Sequence, residues 1–195
     1  MSSSRRLRDP RDLRALAHPL RLAILEALTV RGPHTASQLG ALLGESPSNC
    51  SWHLRKLAEH GFVDEAPGGT GRQRPWQATQ RSLEWDADDP APELAHASQA
   101  LTRLLLDREV DRLLESQVTG PQESPAWQQA SMMSQSMLWL TAGELQEINA
   151  AIRAAQHSKR DRFDHPDGRP EGARLCAFVS WGVPATPAPD EGGKT

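Results

Sequence analysis

Tyrosine is absent from this 195-residue chain, lysine is scarce and cysteine occurs twice. Cys50 falls in a helical pattern and Cys176 in an apolar, strand-like run, so the pair offers no disulfide framework of the kind that small secreted domains need. No apolar stretch approaches the roughly 20 residues that span a bilayer. The start, MSSSRRL, lacks the apolar core of a secretory signal. A cytoplasmic protein with no membrane partner is therefore expected. A glycine-rich cofactor turn is missing too, because the later glycines, at 120, 143, 168, 172 and 182, are scattered. No serine or cysteine occupies a nucleophile-like turn with an obvious base. The expectation is thus neither enzyme nor cofactor. Few lysines, no tyrosine and abundant alanine and arginine fit a GC-rich bacterial genome.

What is present begins with an uneven distribution of charge. Residues 1–81 hold twelve Lys and Arg against seven Asp and Glu, a net of +5, while residues 82–195 hold ten against eighteen, a net of −8, together giving the −3 of the whole chain. A basic front half next to an acidic back half separates a surface that attracts polyanions from one that repels them.

Within the basic half, residues 35–60 read as two short helices joined at Gly44-Glu45. The second opens at Ser46, with Pro47 at the first helical position, where its missing N–H costs nothing. Cys50, Leu54 and Leu57 recur at i, i+4 and i+7 and form one inward stripe. Ser48, Asn49, Ser51, Trp52, Arg55 and Lys56 are left outward. Asn can bond N6 and N7 of adenine together, Ser donates or accepts, and Arg and Lys reach guanine or phosphate, so this face suits a major groove. A merely solvated polar helix carries the same residue types, and the segment C-terminal to the helix favours the groove. Gly61 stops the helix, a short extended run comes next, and Pro67-Gly68-Gly69-Thr70-Gly71 leads into Arg72-Gln73-Arg74-Pro75-Trp76. This predicts a β-hairpin with a basic tip, placing Arg72 and Arg74 at phosphate or the minor groove. Upstream, Leu13, Leu16, Leu20, Ile24, Leu25 and Leu28 space like the inner faces of two helices broken near His18-Pro19. Leu39, Leu42 and Leu43 supply the core side of the helix after them.

The blocks LAHPLRLAIL (16–25), TASQL (35–39), SNCSWHLRKL (48–57) and GFV (61–63) resemble an ArsR-type winged helix-turn-helix transcriptional regulator over roughly the first eighty residues. The resemblance implies a homodimeric repressor that reads a pseudo-palindromic double-stranded DNA operator. Its DNA contacts would fall on Ser48, Asn49, Ser51, Trp52, Arg55, Lys56, Arg72 and Arg74. Trp52 departs from the polar or basic residue usual there. Metal sensing is common in the family, but its paired cysteines on the first helix of the motif are replaced here by QLGALL (38–43), and Glu93 and His96 stand alone where a second kind of site would lie. His157, Asp161, Asp164 and His165 cluster near a turn and read better as solvated loop residues than as metal ligands, so no metal is expected.

An acidic, proline-broken segment, WDADDPAP (85–92), precedes a long helical pattern running from Leu94 through Leu101, Leu104, Leu105, Leu113 and Leu114 to Val118. That stripe fits packing within the subunit, a dimer helix, or both; the resemblance favours dimerisation through it and the region around Leu7 to Leu16, which assigns Leu13, Leu101, Leu104 and Leu105 to the interface. Residues 131–140 and 173–181 alternate as strands do, and Thr141 to Glu144 forms a capping box opening a helix through Leu145, Ile148 and Ile152. Strand, helix, strand predicts a small α+β module in which Leu138, Leu140, Phe178 and Trp181 cover the helix. The expected organisation is a winged helix-turn-helix domain over 1–84, a linker over 85–92, a dimerisation or effector region over 93–182 and a disordered tail over 183–195. The fold class is mainly α with a small β component. An unidentified small-molecule effector is left open by the sequence. Two other functions compete with DNA binding: a winged helix used only for protein contacts, and an enzyme such as the O-methyltransferases that carry a dimerising winged helix, for which too few residues remain.

Overall fold

Three of the first four helices begin at the same chemical device, a polar cap followed by proline. In the computed structural model, which describes residues 4–69, 74–80, 82–85, 91–163 and 165–185, α1 (Pro10–Leu16) is capped by Asp9, whose carboxylate accepts from the Arg11 N–H. The imidazole of His18 does the same for α2 (Pro19–Arg31), accepting from the Leu20 N–H at 3.2 Å. Helix α4 (Pro47–Glu59) is capped by Ser46, which accepts from the Asn49 N–H at 3.1 Å. In each case proline occupies a position with no helical acceptor to satisfy, and the side chain takes one of the orphan donors. Helix α3 (Ala36–Leu43) opens instead on a reciprocal capping box between Thr35 and Gln38.

The helices bury one leucine-rich cluster. Leu13 and Leu16 of α1, Leu20, Ile24 and Leu28 of α2, Leu39 of α3 and Leu54 and Leu57 of α4 meet there, joined by Phe62 and by Leu94, Ala97 and Leu101 from the long helix α5 (Pro92–Thr119). The inner faces expected for the first two helices and for α4 are observed. Leu42, expected in the core, is instead 38% exposed: the core takes Leu39 fully and Leu43 in part, and Leu42 lies at the edge of that face. Ion pairs from Arg108 and Arg112 to Glu26 of α2 continue the docking of α5.

Two small sheets complete this part. Strand β2 (Val63–Glu65) pairs antiparallel with β3 (Trp76–Ala78), Val63 opposite Ala78 and Glu65 opposite Trp76. His34 forms an isolated antiparallel bridge to the same strand, exchanging backbone bonds of 3.0 and 2.8 Å with Trp76. A second pair, not expected from the sequence, sets β1 (Ser4–Leu7) parallel to β4 (Ser82–Trp85). Four residues on each strand carry too little periodicity to mark a strand, and the pairing joins segments more than seventy positions apart.

The chain divides into two units, Met1–Glu115 and Ser116–Thr195. In the second, α6 (Pro125–Ala130) is not expected from the sequence, whereas α7 (Ala142–His157) starts on the expected capping box of Thr141 and Glu144. The expected strands are not there: residues 131–140 and 173–181 adopt neither helix nor strand. Leu138, Leu140, Phe178 and Trp181 are exposed rather than laid on α7. Alternation supplies the side-chain pattern of a strand, but a strand also needs a neighbouring backbone to take its N–H and C=O groups, and the segments do not provide this for each other. Arg174 turns aside to pair with Glu123 at 2.6 Å and to cover the Trp127 ring. The expected tail falls, from residue 186, outside the described residues.

Burial sets a first prediction. Leu54→Ala should lower stability by about 2–5 kcal/mol, whereas Leu42→Ala should change it by less than about 1 kcal/mol. Urea unfolding midpoints measure both, and equal losses would contradict this packing.

Candidate nucleic-acid interface

The turn between α3 and α4 determines which way α4 faces. Gly44 adopts a left-handed conformation (φ 70°) and the Glu45 N–H returns to the Gly40 carbonyl at 2.9 Å. Gly40 is needed for a different reason: a Cβ there would lie 2.7 Å from the Glu45 carbonyl oxygen. At the other end Gly61 (φ 68°) reverses the chain, with the Phe62 N–H bonded to the Leu57 carbonyl at 2.9 Å. Arg5 holds this corner by donating to the His60 carbonyl at 2.7 Å while pairing with Asp12, which also takes His60 Nδ1 at 2.9 Å.

With both ends held, Cys50, Leu54 and Leu57 are buried as the spacing predicts. The outward residues divide into two groups. Ser48, Trp52 and Arg55 are exposed, and Arg55 has no ion-pair or hydrogen-bond partner among the described residues. Asn49, Ser51 and Lys56 are half-buried. Asn49 donates to Glu45 at 2.9 Å and Lys56 to Glu59 at 2.8 Å. These bonds orient amide and ammonium at the surface and use one N–H of each, leaving the other amide N–H and Oδ1 of Asn49 and two N–H groups of Lys56 for another polar ligand. Of the hairpin arginines, Arg74 is exposed and paired with Glu65 at 2.7 Å, while Arg72 lies outside the described residues.

Sequence reasoning misses His53, although it lies three residues after Cys50 on the same face. Only 4% exposed, it meets the His18 ring at a centroid distance of 4.4 Å and receives the edge of Trp52 at 4.7 Å. Trp52, 51% exposed, thus rests one side of its ring on the core of the motif. His53 Nδ1 is buried without a hydrogen-bond partner. Because His18 Nδ1 accepts from Leu20, its neutral form carries the proton on Nε2.

Burial lowers the pKa of both imidazoles; Arg21, and for His53 the neighbouring His18, add to the effect, and Glu45 opposes it. Burial also raises the Cys50 thiol, keeping it a neutral core group. Among the described residues no three His, Cys, Asp or Glu side chains come together as metal ligands. His157 ends α7, Asp161 and His165 lie along the turns after it, and Asp164 is outside the described residues.

The histidine pair yields a signed pH dependence. A folded pKa below the unfolded value of about 6.5 means that the unfolded chain binds protons first as the solution is acidified. Stability from keeping the pair neutral is complete above about pH 6.5 and falls as pH drops through that value toward the folded pKa. Between about pH 7.5 and 5.5, the urea midpoint of the wild type should decrease more than that of His53→Leu. Parallel decreases would show that the pair contributes nothing.

Comparison with known proteins picks out the same segment. Residues 16–66, from the end of α1 to just past β2, match the family described as "Helix-turn-helix domain". No curated protein matches the chain. Among solved structures, the transcriptional regulator Tm0710 of Thermotoga maritima is similar at 14% identity and a TM-score of 0.30, over 71% of this chain and 77% of that one. RV1404 of Mycobacterium tuberculosis is similar at 18% identity and a TM-score of 0.31, over 84% and 86%. No helix among the described residues is long and apolar enough to cross a membrane. The segment from Leu16 to Ala66 is a helix-turn-helix domain.

Proposed function

We propose that this chain is a sequence-specific transcriptional regulator that binds double-stranded DNA as a homodimer and acts as a repressor. The observation that carries this reading is the exposed face of α4, where Ser48, Trp52 and Arg55 are open to solvent on the second helix of a matched helix-turn-helix domain. The N-terminal part of α4 enters the major groove, with Asn49 and Ser51 reading base edges. Arg55 and Lys56 reach guanine or phosphate, and Trp52 offers its exposed ring edge to a thymine methyl. Arg72 and Arg74 bring the hairpin to phosphate or the minor groove. Repression rests on the resemblance of the motif blocks.

The dimer is assigned to α5, whose later turns expose Leu106, Val110, Leu113 and Leu114 at three- and four-residue steps. Of the positions that the resemblance assigns to the interface, Leu13 and Leu101 are buried in the chain's own core and Leu104 and Leu105 pack against it. They support the surface from within, and the neighbouring residues of α5 form it. A two-fold axis then places two reading helices about 34 Å apart on a pseudo-palindromic operator.

Arg72→Ala with Arg74→Ala, which removes four cations from the dimer, should weaken duplex binding across sequences and reduce the slope of log affinity against log salt by about 2 to 4, measured by fluorescence anisotropy. An unchanged slope would remove the hairpin from the interface. Leu106→Asp with Val110→Asp should give monomers in sedimentation equilibrium while leaving the unfolding midpoint near wild type. Leu101→Ala, by contrast, should cost about 2–5 kcal/mol of stability. A charged double variant that stays dimeric would move the interface away from α5.

A further inference from the structure

The second unit carries more apolar surface than a lone chain accommodates. Outside α7, eleven large apolar side chains between Met132 and Val183 are 40 to 101% exposed. Together they present on the order of 1,000 Å² of apolar area, comparable with the about 800 Å² that one partner in a stable complex buries. They lie on two segments, the strand-patterned residues 131–140 and the stretch 173–183.

The second segment has two distinct sides. Gln156 of α7 donates to the Ser180 hydroxyl at 3.2 Å and Asn149 donates to the Gly182 carbonyl at 3.2 Å. A Cβ on Gly182 would strike Asn149 Oδ1 at 2.5 Å, so the even-numbered side at 180 and 182 already lies against the helix. In extended chain the odd-numbered residues point the other way, and Leu175, Ala177, Val179, Trp181 and Val183 are all apolar. Their side chains are exposed.

We propose that residues 131–140 and 173–183 form β-strands by pairing with the same segments of a second copy of this chain, completing the second unit only in the dimer. The inference rests on the homodimer proposed above and adds an interface separate from α5. Chemistry selects a second copy as the occupant. Residues 131–140 contain no charged side chain, and the one charge in 173–183, Arg174, is already paired with Glu123. The surface therefore has nothing with which to match a nucleic acid or a charged partner. Paired about a two-fold axis, the odd-numbered strip places apolar residues opposite apolar residues, with no like-charge contact, and backbone groups gain partners. Strand patterning in the sequence, unsupported by any strand among these described residues, is what such a shared sheet requires.

The test uses the full chain. Hydrogen exchange of wild-type amides in 131–140 and 173–183 should slow at least tenfold between protein concentrations below and above the dimer dissociation constant measured by sedimentation equilibrium. Val179→Asp with Trp181→Asp, both exposed in the single chain, should raise that constant at least tenfold and abolish the protection, with the thermal transition of the first unit unchanged. Protection independent of concentration, an unaltered constant in the variant, or a wild type monomeric throughout would each overturn the proposal. Binding to a duplex holding a single half-site, measured alongside, separates the two readings: a wild type that binds it keeps the DNA assignment whatever the dimer data say, and a wild type that binds no duplex ends that assignment without touching the strand-pairing result.

Discussion

Burial of one face of α4 is the constraint on which the remaining geometry depends. Cys50, Leu54 and Leu57 enter the cluster formed by α1, α2 and α3, and His53 goes in with them. Three apolar side chains on one face contribute several kcal/mol of apolar burial, enough to outweigh the cost of carrying an imidazole with an unsatisfied nitrogen. Once that face is chosen, a helix has no freedom left in its other face. Ser48, Trp52 and Arg55 are outward because their neighbours on the wheel are inward, and the chemistry of the proposed interface is a by-product of core packing.

That packing also explains the supporting features. Gly40 and Gly44 bring the end of α3 close to the start of α4, and the Arg5, Asp12 and His60 network holds the opposite end. A helix held at both ends presents its polar groups in a definite geometry, which lowers the ordering cost of contact with a rigid duplex. The polar contacts of Asn49 with Glu45, Lys56 with Glu59 and Arg74 with Glu65 have the opposite effect. Each is exposed and thus weak, so exchange for a phosphate or a base edge costs little. Negative partners beside the cationic groups also moderate indiscriminate attraction to polyanions.

Long helix α5 has two characters along its length. Its first turns are core, with Leu94, Ala97 and Leu101 buried in the leucine-rich cluster; its later turns leave Leu106, Val110 and Leu113 exposed. A single apolar stripe in the sequence is therefore core in one stretch and exposed in the next, and periodicity has no means of dividing it. The same ambiguity affects Leu42, whose spacing equals that of a core residue although it is 38% exposed.

Local signals in the chain were sufficient wherever a structure closes within a few residues. Asp9-Pro10, His18-Pro19, Ser46-Pro47 and the Thr141 to Glu144 box start their helices through bonds that span two or three positions, and Gly44 and Gly61 end theirs by adopting a backbone that other residues resist. The inward stripe of α4, and with it the outward set, follows from the same short-range period. Tertiary structure alone decided the rest. It brought β1 to β4, set His18 against His53, buried Leu13 and Leu101 inside the chain and left residues 131–140 and 173–181 without strand partners. A helix satisfies its own backbone, so its sequence suffices to announce it. A strand or a buried polar pair is completed by residues elsewhere, and its own letters do not say where those residues will be.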